Sequence, residues 1–460
     1  MASTDRKRHY LALKVIIREP KDWEQHVEDL LSRHCSTWEG DRLFKPRKTM
    51  RLMLATPSGL EPAFETTEIE RDERICSVVL HEQESMRIRD EFQDGSEPLG
   101  KIGIDLRLRR TDYWNPGEAM QPLFGDRDAA HRLMAVPKSD EKCDVNVVII
   151  DQGVSQSLIG HFRGVFGGGW EVSGRKPGRT EGGHGSMLAK NILLVAPGAT
   201  IFDLPLIPAD ITNVGAFLSD AHSAFSEMLA SIDGLRLNGD PRWHRPWVLV
   251  NAWAVFNLGN EHRRGEPDGP THPLNYSANW AHPLNIMVGQ VAREHDVVFA
   301  AGNCGQFCPM ARCGVHDVGP GHSILGANSH PDVLTVGAVR TDGLWLGYSS
   351  QGPGALYPRK PDLCAPSQFS DNEDAYAGNT GTSAACALVA GVVARLRGKW
   401  DCKTFSPKEM KRILIDTAFR SVEHPCWNGQ LGNGIINYTG AAKKAERSAR
   451  WSASPETPLR

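Results

Sequence analysis

The sequence predicts an α/β fold with a mainly parallel β-sheet, on the basis of three observations. From residue 143 onward, continuous apolar runs recur, as expected of strands that are buried on both faces. Helical patterns separate several of these runs, and this alternation is typical of parallel α/β domains. The 45 glycines and 29 prolines exceed what a helical bundle needs for its turns. The predicted strands are 145–150, 191–197, 246–253, 296–303 and 333–339, and the predicted helices are 214–229, 283–293 and 384–397.

The first 110 residues (1–110) predict a separate, small α+β domain. Strands are expected at 10–17, 51–55, 75–81 and 102–108, and helices after Pro20 and over 82–89. This β-α-β-β-α-β order is ferredoxin-like. The rest of the chain is expected to comprise a proline-containing linker over 111–142, a main domain over 143–442 and a tail over 443–460, which begins helix-like and ends in a disordered SASPETPLR segment.

The charge and apolar content of the chain argue against two broad classes of function. Its 52 basic and 55 acidic side chains give a net charge of −3, which disfavours a protein built to neutralise nucleic-acid phosphates. No uncharged apolar run reaches the roughly 18 residues that a membrane span requires. The charged N-terminus shows no secretory signal, so we expect a cytoplasmic protein whose ten cysteines are free thiols.

Four short segments contain side chains that can do chemistry together. Asp151 ends the apolar run of VVIIDQGV, and His184 lies in the Gly-rich segment GGHGSMLA before a helical pattern. Asn303 ends VVFAAGN, and Ser383 follows the turn of GNTGTSAACALVAG at the start of a small-residue helix. Each one alone is more often a cap, a structural residue or a turn. Together they supply an orienting acid, a general base, an oxyanion donor and a nucleophile.

These segments resemble the subtilisin-like serine peptidases of the subtilase family (peptidase S8). DQGV is similar to the family's aspartate block, HGSMLA to its histidine block, AAGN to its oxyanion block and TGTSAACALVAG to its serine block. The resemblance covers about residues 146–442 and implies a subtilisin-like three-layer α/β domain, with the sheet between helices. It also implies peptide hydrolysis through an acyl-enzyme on Ser383, with His184 as base, Asp151 as its partner and Asn303 in the oxyanion hole.

The chain departs from the family pattern close to the reactive positions. Met187 replaces a histidine that commonly follows the catalytic one by three residues, and Cys386, Ala387 and Leu388 replace a frequent Ser-Pro-His run. The stretch 184–197 is short where many relatives insert a calcium-binding loop. We therefore expect no calcium site there and no cofactor requirement for catalysis.

The segment NAWAVFN (251–257) takes the place of the family's substrate-binding strand. The resemblance implies that Trp253, Ala254 and Val255 pair with an extended polypeptide substrate by β-augmentation. Two interpretations of Trp253 stay open at this point. The indole narrows the pocket for the residue before the scissile bond, or it packs beneath the strand.

A cysteine-rich segment, CGQFCPMARCGVHD, follows Asn303 directly. The spacing of Cys304, Cys308, Cys313 and His316 is compatible with a structural Cys₃His zinc site. It fits no standard zinc-finger pattern closely, so free thiols and one local disulfide are the alternatives. A zinc ion here would shape the wall of the pocket and take no part in hydrolysis.

The sequence therefore predicts a serine endopeptidase of a regulated or processing type, because an unrestrained endopeptidase would cut its cytoplasmic neighbours. The extension 1–110 is expected to act as a propeptide-like inhibitor, or as a docking domain for a regulatory protein or a substrate. The alternative for the whole chain is a catalytically silent binding protein with the subtilase fold. The GVFGGGW segment (164–170) lacks a dinucleotide fingerprint, no P-loop motif occurs, and no G-x-S-x-G surrounds Ser383, which disfavours three other enzyme classes.

Overall fold

The computed structural model describes residues 10–17, 50–63, 74–81, 102–104, 123–180, 182–208, 211, 214–255, 275–305, 323–371, 378–420 and 425–453. The strands are β1 (Tyr10–Ile17), β2 (Arg51–Thr56), β3 (Gly59–Pro62), β4 (Arg74–His81), β5 (Ile102–Ile104), β6 (Asn146–Ile150), β7 (Val165–Glu171), β8 (Thr200–Leu204), β9 (Trp247–Asn251), β10 (Asp296–Ala300), β11 (Leu334–Val339), β12 (Leu363–Pro366), β13 (Phe369–Ser370) and β14 (Gly378–Asn379). The α-helices are α1 (Arg127–Leu133), α2 (Gln156–His161), α3 (His184–Val195), α4 (Val214–Leu237), α5 (Pro283–Glu294), α6 (Gly381–Arg397), α7 (Pro407–Thr417) and α8 (Tyr438–Ala453).

A nine-stranded sheet forms the centre of the molecule, in the order β12-β11-β10-β9-β6-β8-β7-β2-β3. The strands from β12 to β7 in this order pair in parallel, and only β2 and β3 run antiparallel to their neighbours. The predicted mainly parallel sheet is therefore confirmed. The chain leaves β6 to build β7 and β8 on one side and then crosses to β9 on the other. Strand order reverses at β6, and this is where open parallel sheets place their sites.

Helices cover both faces of the sheet, as the predicted three-layer fold requires. Alternate residues of β6 enter two separate cores: Val148 and Ile150 face one core, and Val147 and Ile149 face the other. Helices α4 and α5 supply the first core, and α3 and α6 supply the second. Because every residue of β6 is buried, its sequence reads as a continuous apolar run.

The predicted strand at 191–197 was wrong. Residues 191–195 form the last part of helix α3, and the strand that follows begins later, at Thr200. Ile192 and Leu193 are both buried, because α3 packs against the sheet on one side and against α6 on the other. A short helix segment that is buried all round gives the same apolar run as a buried strand, so periodicity cannot separate them.

The predicted N-terminal strands are found, but they do not all belong to one sheet. Strands β1, β4 and β5 form a three-stranded antiparallel sheet in the order β4-β1-β5. The β2–β3 hairpin instead extends the large sheet, with Leu52 opposite Trp170 of β7. Residues 167–169 are glycines, and a Cβ on Gly168 would collide with the carbonyl of Met53, so the GGG segment permits this pairing. The helices predicted after Pro20 and over 82–89 lie outside the described residues.

The predicted linker and the start of the predicted tail both form helices that pack against the main domain. Helix α1 lies within the predicted linker, where Ala130 and Met134 are fully buried and the Met134 carbonyl accepts the N–H of Tyr438 at 2.9 Å. The tail begins as a helix, as predicted, and the helix continues as far as Ala453, with Ala441 and Ala445 forming a buried stripe along α8. The remainder of the tail lies outside the described residues.

Candidate active site

The four predicted reactive residues lie beside the switch point, on elements that the sheet brings together. Asp151 follows β6 directly, and Asn303 follows β10 by three residues. His184 is the first residue of α3 and Ser383 is the third residue of α6. These two helices pack against each other in the layer on one face of the sheet. Residues that are far apart in sequence thus reach one edge of the domain.

Asp151 and His184 form a buried carboxylate–imidazole pair. The Asp151 Oδ1 and His184 Nδ1 atoms are 2.8 Å apart, and the exposed fractions of the two side chains are 0% and 2%. The carboxylate also accepts the N–H of Gln152 at 2.8 Å, which fixes its rotamer. When Nδ1–H donates to a carboxylate, Nε2 is the nitrogen that can take up a proton. The pair therefore has the geometry of an oriented general base.

Ser383 lies at the N-terminal end of α6, after a turn that requires glycine. Gly381 adopts a φ of 72°, in the left-handed region, and its N–H donates to the Tyr348 hydroxyl at 3.1 Å. The Ser383 hydroxyl donates to the Ala252 carbonyl at 3.2 Å, and the residue is fully buried. The partial positive charge at a helix N-terminus favours negative charge on a bound group. An oxyanion formed at Ser383 would lie in this favourable field.

The amide of Asn303 is oriented by a residue that sequence reasoning missed. Its Oδ1 accepts the backbone N–H and the hydroxyl of Thr382, both at 2.9 Å, and the Thr382 hydroxyl accepts the N–H of Gly302 at 3.1 Å. Because two donors face Oδ1, the NH₂ group lies on the opposite side of the amide. The position directly before the serine in the GTS turn was the signal available for Thr382.

Trp253 packs inside the core, so the structure favours the second of its two interpretations. Its ring makes edge contacts with Phe217 and Phe299, each at a centroid distance of 5.6 Å, and its Nε1–H donates to Asn251 Oδ1 at 3.2 Å. Its backbone is held by Asn328, whose Nδ2 donates to the carbonyls of Trp253 at 2.7 Å and Ala300 at 2.9 Å. Sequence reasoning also missed Asn328, which lies in the short 3₁₀-helix Gly326–Ser329.

Met187 and Cys386, two of the residues that depart from the family pattern, lie on the two helices of the site, where Met187 is partly buried and Cys386 is fully buried. The Met187 sulfur lies 3.1 Å from Nδ2 of Asn191, and the same nitrogen donates to Asn379 at 2.9 Å, which joins α3 to the strand before Ser383. Burial raises the pKa of the Cys386 thiol well above its usual range, so this thiol stays protonated and is a weak nucleophile.

The zinc hypothesis at Cys304, Cys308, Cys313 and His316 stays a prediction. Cys304 is disulfide-bonded, which was one of the alternatives, and the other three candidate ligands lie outside the described residues. Across the described segments, no group of three or more His, Cys, Asp or Glu side chains is arranged to hold a metal ion. Four residues, 196–199, join α3 to β8, and the predicted lack of a calcium site at this connection also stays a prediction.

A carboxylate–imidazole pair, a serine at a helix N-terminus and an asparagine amide lie beside one end of a parallel sheet, which is an arrangement suited to a serine hydrolase. The chain belongs to the subtilase family, whose sequence profile matches residues 143–434. Members of this family are serine peptidases, so the protein is a hydrolase that acts on polypeptides. No curated protein matches the chain.

Solved subtilisin-like proteases share the fold at low sequence identity. The epidermin leader peptide processing serine protease EpiP of Staphylococcus aureus is 12% identical, with a TM-score of 0.50, over 95% of this chain and 99% of EpiP. MycP1 of Mycobacterium smegmatis is 17% identical, with a TM-score of 0.47, over 74% of this chain and 90% of MycP1. MycP1 with its N-terminal propeptide removed is 16% identical, with a TM-score of 0.46, over 68% of this chain and 96% of MycP1.

Within the described segments, no helix combines the length and the apolar character that crossing a bilayer demands.

Proposed function

We propose that the protein is a serine endopeptidase in which Ser383, His184 and Asp151 form the catalytic triad. The observation that carries this proposal is the buried Asp151–His184 contact of 2.8 Å, at the start of the helix that packs against the helix of Ser383. A carboxylate in this position selects the imidazole tautomer that accepts a proton from serine, and it stabilises the imidazolium that forms.

The reaction follows from these positions. The Ser383 hydroxyl leaves the Ala252 carbonyl, transfers its proton to His184 Nε2, and its oxygen attacks the carbonyl carbon of the scissile bond. The oxyanion accepts hydrogen bonds from Asn303 Nδ2 and the Ser383 backbone N–H. The imidazolium then gives its proton to the departing amine, leaving an acyl-enzyme. A water molecule, deprotonated by His184, releases the second product.

The substrate is an extended polypeptide that lies along residues 253–255. The two bonds from Asn328 fix the Trp253 carbonyl relative to Ala300, the last residue of β10. Only residues 301 and 302 separate Ala300 from Asn303. The strand that receives the substrate and the oxyanion donor are therefore held at a fixed spacing. Trp253 contributes its backbone to this strand, while its indole supports the strand from the core.

The burial of the reactive groups supports a regulated or processing-type enzyme. Ser383 has no exposed surface, so a peptide reaches its hydroxyl only after part of the surrounding structure moves. Strands β1 and β4 lie against α4, which gives the N-terminal region a direct connection to the catalytic domain. We include in this proposal an inhibitory or docking role for residues 1–110 and a cytoplasmic location.

Labelling with a fluorescent fluorophosphonate tests the function, because this probe reacts with an activated serine without needing a substrate. We expect wild type to be labelled, and Ser383→Ala and His184→Ala to show no labelling. Cys402→Ala serves as a control far from the site and should label like wild type. The same labelling is repeated on wild type after limited proteolysis of its N-terminal region. If neither the intact nor the cleaved protein is labelled, the protein is a catalytically silent binding protein with the subtilase fold.

A further inference from the structure

Asp203 is a fully buried carboxylate that the proposed reaction does not use. It lies on β8, between β6 and β7, opposite Ile149 and Gly169. Its Oδ2 accepts two backbone N–H groups, from Gly178 at 2.8 Å and from Val154 at 3.1 Å. Burying an ionisable group costs free energy unless hydrogen bonds replace its lost contacts with water. The two bonds from Gly178 and Val154 do this for Asp203.

The bond to Val154 reaches the segment that carries Asp151. This segment, residues 151–155, touches the start of the His184 helix at two further points. The Ser155 N–H donates to the Ser186 hydroxyl at 2.9 Å, and a Cβ on Gly185 would collide with the Gly153 carbonyl. A shift of residues 151–155 would therefore move both members of the Asp151–His184 pair.

We propose that Asp203 is a positioning residue for the Asp151–His184 pair, acting by holding residues 151–155 against the end of β8 and the start of α3. The inference rests on the proposed function, since it assigns Asp203 to the same reaction. The end of β8 and the residues that follow it already hold the backbone of Asp151 on both sides, through the Leu204 carbonyl at 3.2 Å and the Ile207 N–H at 3.0 Å. The Asp203 carboxyl adds a third attachment, three residues beyond the catalytic carboxylate.

Asp203 changes charge near neutral pH. Burial raises its pKa to about 7, against the lowering effect of the bonds from Gly178 and Val154, and the negative charge of Asp151 raises it further. Among the described residues, Asp151 at the end of β6 is the charged group that acts on Asp203, and β7 presents only Gly169 beside it. The carboxyl is therefore protonated below pH 7 and ionised above it, where it accepts its two bonds more strongly.

The pKa also fixes the sign of a stability effect. Folding raises the pKa of Asp203 from 3.8 to about 7, so the folded state binds the proton more tightly than the unfolded state does. The stabilisation from protonated Asp203 is complete below about pH 4 and is lost as pH rises through 7. Asp203 lowers the stability of the fold at neutral pH while it holds the catalytic segment in place. Such a cost in stability is expected where a residue is retained for function.

The test compares Asp203→Asn and Asp203→Ala with wild type, and uses Asp296→Asn as a matched control. Asp296 is a buried carboxylate at the opposite end of β10 from the site, where it pairs with Arg397 at 2.5 Å. The measurements are the rate of fluorophosphonate labelling against pH, kcat and KM on a peptide, the melting temperature, and the downfield proton resonance of the His184 Nδ1–H.

For Asp203→Ala we expect kcat and the labelling rate to fall about tenfold or more while KM changes less than about twofold, because misplacing a catalytic group costs rate. Asp203→Asn keeps an acceptor oxygen, so its kcat stays within about threefold of wild type at pH 8. Its pH profile loses one ionisation near pH 7, and it melts at a higher temperature than wild type at pH 8. Asp296→Asn lowers the melting temperature but leaves the shape of the pH profile unchanged.

Two results would overturn the proposal. The first is that Asp203→Asn has the same pH profile as wild type and Asp203→Ala has the same kcat as wild type. The other is an unchanged Nδ1–H resonance in Asp203→Ala. The resonance does not depend on catalysis, so a shifted resonance in a protein that never labels supports the positioning role while the proposed function fails. If Asp203→Ala does not fold, the pH profile and melting temperature of Asp203→Asn decide the question.

Discussion

The Oδ1 atom of Asn303 accepts both the backbone N–H and the hydroxyl of Thr382, each at 2.9 Å. The residue next to the proposed nucleophile thus fixes the orientation of the proposed oxyanion donor. A helix N-terminus and a strand end that lie 79 positions apart are joined at this point. In the proposed reaction, the position of Ser383 is therefore coupled to that of the amide that would stabilise the oxyanion of the tetrahedral intermediate.

Thr382→Val removes both bonds of the hydroxyl, to Asn303 Oδ1 and from the Gly302 N–H, and keeps the backbone bond to Asn303 and the shape of the side chain. We expect kcat to fall about tenfold with KM nearly unchanged, because an Asn303 amide that rotates more freely donates less well to the oxyanion. Asn303→Ala removes the donor itself and should lower kcat about 10²- to 10³-fold. Adding Thr382→Val to Asn303→Ala should then have no further effect, and additive losses in kcat would contradict this dependence.

Asn328→Ala removes the donor of two buried carbonyls, those of Trp253 and Ala300. Each carbonyl left without its donor costs about 1–3 kcal/mol, so we expect a clear drop in the free energy of unfolding, measured by urea denaturation. KM should rise as well, since residues 253–255 lose their fixed distance from Asn303. As a control, Asn433→Ala removes a side-chain bond to the Asp362 carbonyl, away from this strand. It should lower stability and leave KM unchanged.

A third prediction concerns the stability contribution of a buried cluster of charged side chains near β12. Lys360 is fully buried and its Nζ lies 2.6 Å from Asp362, which also binds Lys411 at 2.8 Å. Burial raises the pKa of Asp362, but the two ammonium groups lower it by more, so the carboxylate is ionised in the folded state. Burial lowers the pKa of Lys360 well below its usual range, and Asp362 opposes this effect. Asp362→Asn therefore favours loss of the Lys360 proton and leaves a buried amine without its carboxylate partner, at a cost of about 3–5 kcal/mol. Lys360→Met keeps the Asp362–Lys411 pair, and urea denaturation should show a smaller loss.

Three buried histidines lead us to expect that acid lowers the free energy of unfolding. Burial lowers the pKa of His131, His295 and His330 from 6.5 to about 4. Because the unfolded chain binds these protons more readily, the free energy of unfolding should fall as pH drops from about 6.5 towards 4. His295→Gln should show a smaller fall in the urea midpoint between pH 7 and pH 5. Asp203→Asn should show a larger one, since the Asp203 effect runs in the opposite direction over this range.

The state of Cys304 can be measured by counting thiols in the denatured, unreduced protein. With Cys304 in a disulfide, at most eight of the ten cysteines should react, because two sulfurs are oxidised. Such a bond is unusual in a reducing cytoplasm, so ten reactive thiols would favour that location and would leave Cys304 available to bind zinc. Metal analysis of the same sample then decides, since a structural site would hold one equivalent of zinc.

The site was predictable where its residues lie at the ends of strongly patterned elements. Asp151 and Asn303 follow apolar strands, and Ser383 lies in the first turn of a helix after a Gly-rich segment, so local sequence alone indicates their places. Residues 191–197 were misassigned because packing on two sides removes the helical period from their sequence. Thr382, Asn328 and Asp203 act through bonds to distant segments, and the spacing of residues along one sequence does not contain those contacts.

The placement of β2 also means that the peptidase domain is not one uninterrupted stretch of sequence. A fragment that starts at residue 143, where the family match begins, would lack the strand that covers β7. The open edge would then be a run of glycines with unpaired backbone groups, and such edges recruit strands from other molecules. Aggregation of that fragment would reflect a missing neighbour and would say nothing about the integrity of the active site. Adding a peptide that spans residues 50–63 should restore solubility.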